Sequence, residues 1–174
     1  MALNPNPKVI AEQLEDDGSI PNHARWPLLI YQAAFKVEPG LPDEIEQLYQ
    51  LNGWGGTWRW GVYDYDHYHS NTHEALACFS GQAELLLGGE SGITVTLKAG
   101  DAVLLPAGTG HKNMASSSDF QVVGAYPAGM TPDMNVGKSD ERPQVIHAIT
   151  NVPKPERDPF YGSEGPLIDH WKSS

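Results

Sequence analysis

Two different periods of apolar residues run along this chain. Over LPDEIEQLYQLNG (41–53), Ile45, Leu48 and Tyr49 recur at i, i+3 and i+4, which predicts an amphipathic helix. Pro42 suits its first turn, Asp43 and Glu44 lie at the positive end of its dipole, and Asn52-Gly53 ends it. From Thr57 onward the helical period disappears. TWRWGVY (57–63), EALACFSG (74–81), QAELLLG (82–88), ITVTLKAG (93–100), DAVLLPAG (101–108) and FQVVGAYP (120–127) read as short strands separated by Gly or Ser turns. GGESG (88–92) joins two of them as a hairpin loop. Closely spaced strands of this kind predict an all-β sandwich or small barrel.

The flanks read differently. Residues 1–40 form an extended arm, with turn chemistry in EDDGSIPN (15–22) centred on Asp17-Gly18 and a strand in PLLIYQAAF (27–35). VIAEQL (9–14) fits either a strand or a short helix. From Thr131 the chain carries Pro132, Pro143, Pro153, Pro155, Pro159 and Pro166, which exclude a long helix and a central strand. Phe160, Tyr161, Leu167, Ile168 and Trp171 would anchor this tail as an ordered arm. The chain thus divides into an N-terminal arm and helix (1–56), a strand-rich core (57–130) and a C-terminal arm (131–174).

Length and composition narrow the picture. At roughly 150 residues per domain, the 174 residues make one domain with its own core. Eleven Lys and Arg against 22 Asp and Glu leave a net charge of −11, so phosphate backbones and anionic lipid surfaces are repelled. Nucleic acid and membranes are not expected partners. Cys78 is the single cysteine, which excludes an internal disulfide and a Cys-rich zinc site. MALNPNPKVIAEQ has no apolar stretch of the kind a secretory leader needs, and no apolar run approaches a membrane span; the expected compartment is the cytoplasm.

The chemistry concentrates in DYDHYHSNTHEALACFSG (64–81). His67 and His69 are two apart, so on a strand they project to one face with Cα atoms roughly 6.5–7 Å apart, close enough to share one ion. After the turn-forming Ser70-Asn71-Thr72, His73 and Glu74 are adjacent and point to opposite faces. Only one of them can join the pair, and parity alone does not choose. A further ligand stands beyond the turn in GDAVLLPAGTGHKN (100–113), at His111.

These two segments resemble the paired motifs of the cupin superfamily. In the first, Gly61, five residues, His67, one, His69, four, Glu74, six and Gly81 follow in order; in the second, Gly100, five, Pro106, one, Gly108, two and His111. Eighteen residues (82–99) separate them. A lone His-x-His is a weak signal, but this double constellation is specific. One departure is Ala115, where the family's second motif often has Asn; Asn113 is the nearest candidate. The SIPNHARWPLLIY arm, HYHSNTHE, VVGAYPAG and the DPFYGSEGPL tail extend the resemblance to small single-domain cupins of the YjlB type, which sharpens the fold much more than the function.

The resemblance implies a double-stranded β-helix, or jelly-roll barrel, with His67, His69, Glu74 and His111 holding one divalent metal ion (Fe, Mn, Ni, Co or Zn). It also implies a homodimer, with both arms as candidate wrapping elements. Such a ligand set leaves open positions for a small-molecule substrate. The expected function is therefore metal-dependent chemistry on a small oxygenated or carbonyl-containing molecule, as a dioxygenase or as an oxygen-independent isomerase, lyase or decarboxylase. The alternative is a non-enzymatic small-molecule or metal-binding module.

Other residues take plainer assignments. Tyr63 and Tyr65 share parity with the His pair if the strand stays regular, and are candidates to support the ligands. Trp58 and Trp60 have the other parity and read as core or interface anchors. His73 is expected to face away from the metal, Cys78 to be an inert buried thiol, and Asp64 and Asp66 to be solvated loop acids. His23, His147 and His170 have no assigned role. No Walker-type loop, G-x-G-x-x-G or G-x-S-x-G motif is present.

Overall fold

A computed structural model describes residues 1–172 of the chain. The strands are β1 (Lys8–Glu12), β2 (Leu28–Gln32), β3 (Trp54–Trp60), β4 (Glu74–Ser80), β5 (Gln82–Leu87), β6 (Ile93–Lys98), β7 (Ala102–Leu105), β8 (His111–Ser116) and β9 (Gln121–Pro127). The helices are α1 (Leu41–Leu51), α2 (Gln144–Asn151) and α3 (Pro166–His170). A six-stranded antiparallel sheet in the order β1-β2-β7-β4-β9-β3 lies against a three-stranded sheet in the order β6-β5-β8.

The larger sheet is buried on both faces, which explains its continuous apolar runs. On β4, Leu76 and Cys78 face the space between the sheets, while Ala75 and Ala77 face α1 and the tail. The same alternation sends Leu28, Ile30, Val103 and Leu105 inward, and Leu29, Tyr31, Ala102 and Leu104 outward. The small residues on the outer face let α1 approach closely. Its Ile45 and Tyr49 are fully buried there, and burying a side chain such as Ile45 contributes about 1.5–3 kcal/mol.

Both arms close onto this chain's own barrel. β1 resolves the ambiguity of 9–14 in favour of a strand, and β2 pairs with β7, so the N-terminal arm extends the larger sheet. In the tail, buried Asp158 accepts hydrogen bonds from the Tyr31 hydroxyl at 2.6 Å and from the Leu167 and Phe160 backbone at 3.0 and 2.8 Å. Trp171, fully buried, stacks on Trp26 at 5.2 Å, and Trp26 stacks in turn on His23 at 4.7 Å. His23, without an assignment from sequence, thus has a structural one: its Nδ1 accepts the N–H groups of Arg25 and Trp26.

Four elements differ from the pattern-based reading. The tail contains α2, which fits between Pro143 and Pro153, and α3, which takes Pro166 in its first turn. HKNMAS (111–116) forms β8 although it is polar, because an edge strand of a small sheet needs apolar residues on one face at most. β3 ends at Trp60, so the strand expected through Tyr63 stops three residues early, and the count of parity from His67 back to Tyr63 crosses irregular backbone.

Candidate metal centre

Backbone pairing brings the two motifs together. His67 and His111 form an isolated antiparallel bridge, with the His111 N–H donating to His67 at 2.9 Å and the His67 N–H to His111 at 3.3 Å. On the other side of this segment Tyr68 bridges Asn135. The turn before His111 is equally fixed: the Gly108 N–H donates to the His69 carbonyl at 2.8 Å. Gly108 has φ +90°, and a Cβ there would stand 2.5 Å from the Asn22 carbonyl oxygen, so a side chain would push the arm off this turn.

Each histidine ring is oriented by a backbone carbonyl. Nδ1–H of His67 donates to Tyr65 at 3.0 Å, that of His69 to Asp133 at 2.6 Å, and that of His111 to Thr109 at 3.0 Å. With Nδ1 carrying the proton, Nε2 presents its lone pair. The Nε2 atoms of His111 and His69 stand 3.1 and 3.4 Å from Glu74 Oε1, and the three residues offer ligand atoms all within 4.8 Å of one another. His67 stands outside that group of three, yet its ring centroid is 3.9 Å from that of His111 and it lines the same cavity.

The electrostatics of this group are coherent. Burial disfavours ionisation of Glu74, but His69 and His111 beside it hold its carboxyl well below the usual range. Burial likewise works against a proton on His69, and the Glu74 carboxylate outweighs it, raising His69. Burial, with His111 beside it, lowers His67 to about 3. Glu74 Oε1 has no hydrogen-bond partner once the Nε2 atoms act as acceptors. Buried lone pairs that face one another are the chemistry a divalent cation satisfies, and the donor set of imidazole and carboxylate fits one.

A cavity of about 270 Å³ opens beside these residues. Its walls include Leu76, Tyr126, Val62, Met134 and Asp133, none of which was assigned to the site from sequence. Tyr126 carried a signal, since it shares a face of β9 with Val122 and Gly124; Asp133 and Met134 carried none, because the tail's path over the site is a tertiary matter. The Asp133 carboxylate accepts from the Ser70 N–H at 2.7 Å and from the Ser70 hydroxyl, which sets its own carbonyl on His69.

The supporting roles proposed from sequence are redistributed. Tyr63 lines the cavity, with its ring 5.4 Å from His67. Tyr65 is exposed and stacks on Tyr63; it serves His67 through its carbonyl, not its phenol. Trp58 and Trp60 both line the cavity, and Trp58 also packs against the core between the sheets. A bulge in β3 between Gly55 and Trp58 resets the strand, and Trp58 lies opposite Gly124 on the inner face. His73 faces away from Glu74, fully buried, with Nδ1 accepting the Ala107 N–H at 2.9 Å and Nε2 donating to the Pro153 carbonyl at 3.0 Å. Cys78 is a buried thiol that burial pushes up to about 12. Asp64 is exposed as expected, whereas one Asp66 oxygen is buried without a partner.

Residues 61–123 match the family model of the cupin domain, the class that a barrel with this His and Glu cluster defines. The chain is also 45% identical over 156 residues to the uncharacterized protein YjlB of Bacillus subtilis (strain 168), covering 90% of this chain and 92% of that one. It belongs to the cupin family, among the YjlB-type proteins.

Solved structures with a similar fold include the TDP-quinovose 3,4-ketoisomerase WlaRB of Campylobacter jejuni, at 14% identity and a TM-score of 0.41 over 49% of this chain and 71% of that one. A double-stranded β-helix protein of Klebsiella pneumoniae matches at 15% identity and a TM-score of 0.38, over 79% of this chain and 91% of that one. Neither likeness bears on what this chain binds. Among the described residues, no helix is long and apolar enough to cross a membrane.

Proposed function

We propose that His67, His69, Glu74 and His111 hold one divalent metal ion, and that the protein is an enzyme acting through it on a small oxygenated or carbonyl-containing molecule in the adjoining cavity. The observation that supports this most is the convergence of buried Glu74 Oε1 with the Nε2 atoms of His111 and His69, at 3.1 and 3.4 Å. When bound, the ion supplies Lewis-acid polarisation of a carbonyl or enolate oxygen, or oxygen activation.

The chain's own groups do the rest. The carbonyls of Tyr65, Asp133 and Thr109 hold the rings in the ligating tautomer. Buried Leu76 and Val62 give the cavity a dry apolar wall. Burial and the Glu74 carboxylate keep the Tyr126 hydroxyl protonated. That hydroxyl accepts the Trp58 indole N–H at 2.9 Å and directs its own proton toward the Glu74 carboxylate, at the edge of the cavity.

Elemental analysis of gently purified protein tests the metal, with one equivalent expected and none expected in His111→Ala. Oxygen consumption by the iron-loaded protein with candidate substrates separates the oxygenase from the oxygen-independent reactions. Binding without product under every metal would leave a non-enzymatic binding module. Because both arms pack on their own barrel, the homodimer in this reading forms through barrel faces; a 19.0 kDa particle in light scattering would overturn it.

A further inference from the structure

The cavity is rich in aromatic side chains and has no basic side chain other than the candidate ligand histidines. Trp58, Trp60, Tyr63 and Tyr126 supply aromatic surface, Glu74 and Asp133 supply carboxylates, and no lysine or arginine lines it. Arg59, between the two tryptophans, points to the other face of β3 and pairs there with Asp43 and Glu46. The Trp58 wall is built in: a Cβ at Gly124 would stand 2.2 Å from the indole Cε2, so only glycine leaves the ring its place. Trp60 is 56% exposed and meets Tyr63 edge-on at 5.1 Å, forming the mouth.

An anionic group at the outer end of the pocket, away from the ion, would lose its hydration without gaining a cationic side chain as partner. It would also meet the repulsive field of a chain of net charge −11. Flat or apolar groups, in contrast, gain contact with the indole faces. At about 270 Å³ the space lies just below the ~300–1,000 Å³ of pockets for drug-sized ligands, which suits a metabolite and not a nucleotide conjugate.

We propose that this pocket selects an uncharged, metabolite-sized molecule whose oxygens point toward His69, Glu74 and His111. Its ring or apolar face lies on Trp58 and Trp60, and its outer end carries no anionic group. The selectivity rests on the metal reading above, since the ion is what receives the oxygens; Trp58 and Trp60 are the residues that set it.

Kojic acid and comenic acid test the selectivity. These hydroxypyrones share their chelating oxygens and differ in bearing a hydroxymethyl or a carboxylate at the same ring position. Metal content of the zinc-loaded protein is measured before and after titration by calorimetry. With the ion retained, kojic acid should bind about tenfold or more tightly than comenic acid. Trp60→Ala should weaken kojic acid, and Trp60→Lys should narrow or reverse the preference. Comenic acid binding as well as kojic acid, or neither binding, to protein that keeps its metal overturns the selectivity and leaves the metal reading standing. Protein that takes up no metal overturns both.

Discussion

His67 and His111 are joined by their backbones before any ion is considered: each donates its N–H to the other's carbonyl, at 3.3 and 2.9 Å. The cross-link that unites the two motifs is therefore independent of the imidazoles. His111→Ala should keep the bridge and the fold, losing about 1 kcal/mol with the ring's hydrogen bond to Thr109. Its metal affinity should fall by more than the roughly 10–100-fold typical of losing an outer partner of a ligand. Circular dichroism and metal titration of the variant check both halves.

Asp133 acts through His69. Its carboxylate grips Ser70 so that its carbonyl meets His69 Nδ1 at 2.6 Å. Asp133→Ala frees that carbonyl and should weaken metal binding about 10–100-fold in a folded protein. Asp133→Asn retains an oxygen for the Ser70 N–H and should recover part of the loss. Equal affinities for both variants and the parent in competition with a chelator would show that this grip does not position His69.

His73 makes the metal-free protein acid-sensitive. Burial, only partly opposed by its hydrogen bond to Pro153, lowers the ring to about 3, whereas in the unfolded chain it titrates near 6.5. Below about pH 6.5 the unfolded state therefore binds the extra proton, and the neutral ring's contribution is present above that pH and lost as pH falls toward 3. His73→Gln should flatten the fall in stability between about pH 6 and pH 4 by ~1.4 kcal/mol per pH unit. Urea unfolding across that range, with a chelator present, measures the slope.

Trp171 shows that the tail belongs to the core. It is fully buried, stacks on Trp26 and donates its indole N–H to Pro27 at 2.9 Å. Trp171→Ala should destabilise the protein by about 3–5 kcal/mol, the range for emptying a large aromatic site. Chemical denaturation that finds less than about 1 kcal/mol would mean the tail is only laid over the barrel.

By itself the sequence determined what depends on neighbours along the chain. The i, i+3, i+4 stripe placed α1, and short apolar runs between turn residues placed β4 to β7 and β9 within three residues. The two-residue spacing of His67 and His69 put them on one side, and the resemblance of both motifs to the cupin pair implied Glu74 and His111 as their companions. Tertiary structure decided what depends on the opposing surface. Whether His73 or Glu74 turns inward is a question of which face of β4 meets the other sheet. Trp58 became a pocket wall because a bulge in β3 set it across from Gly124, whose missing side chain holds its ring. Polar β8 became a strand because β5 offered it an edge, and Asp133 reached His69 because the tail folds back over Ser70. Periodicity records how a residue faces its own element, while hydrogen bonds and packing between distant segments determine what that face meets.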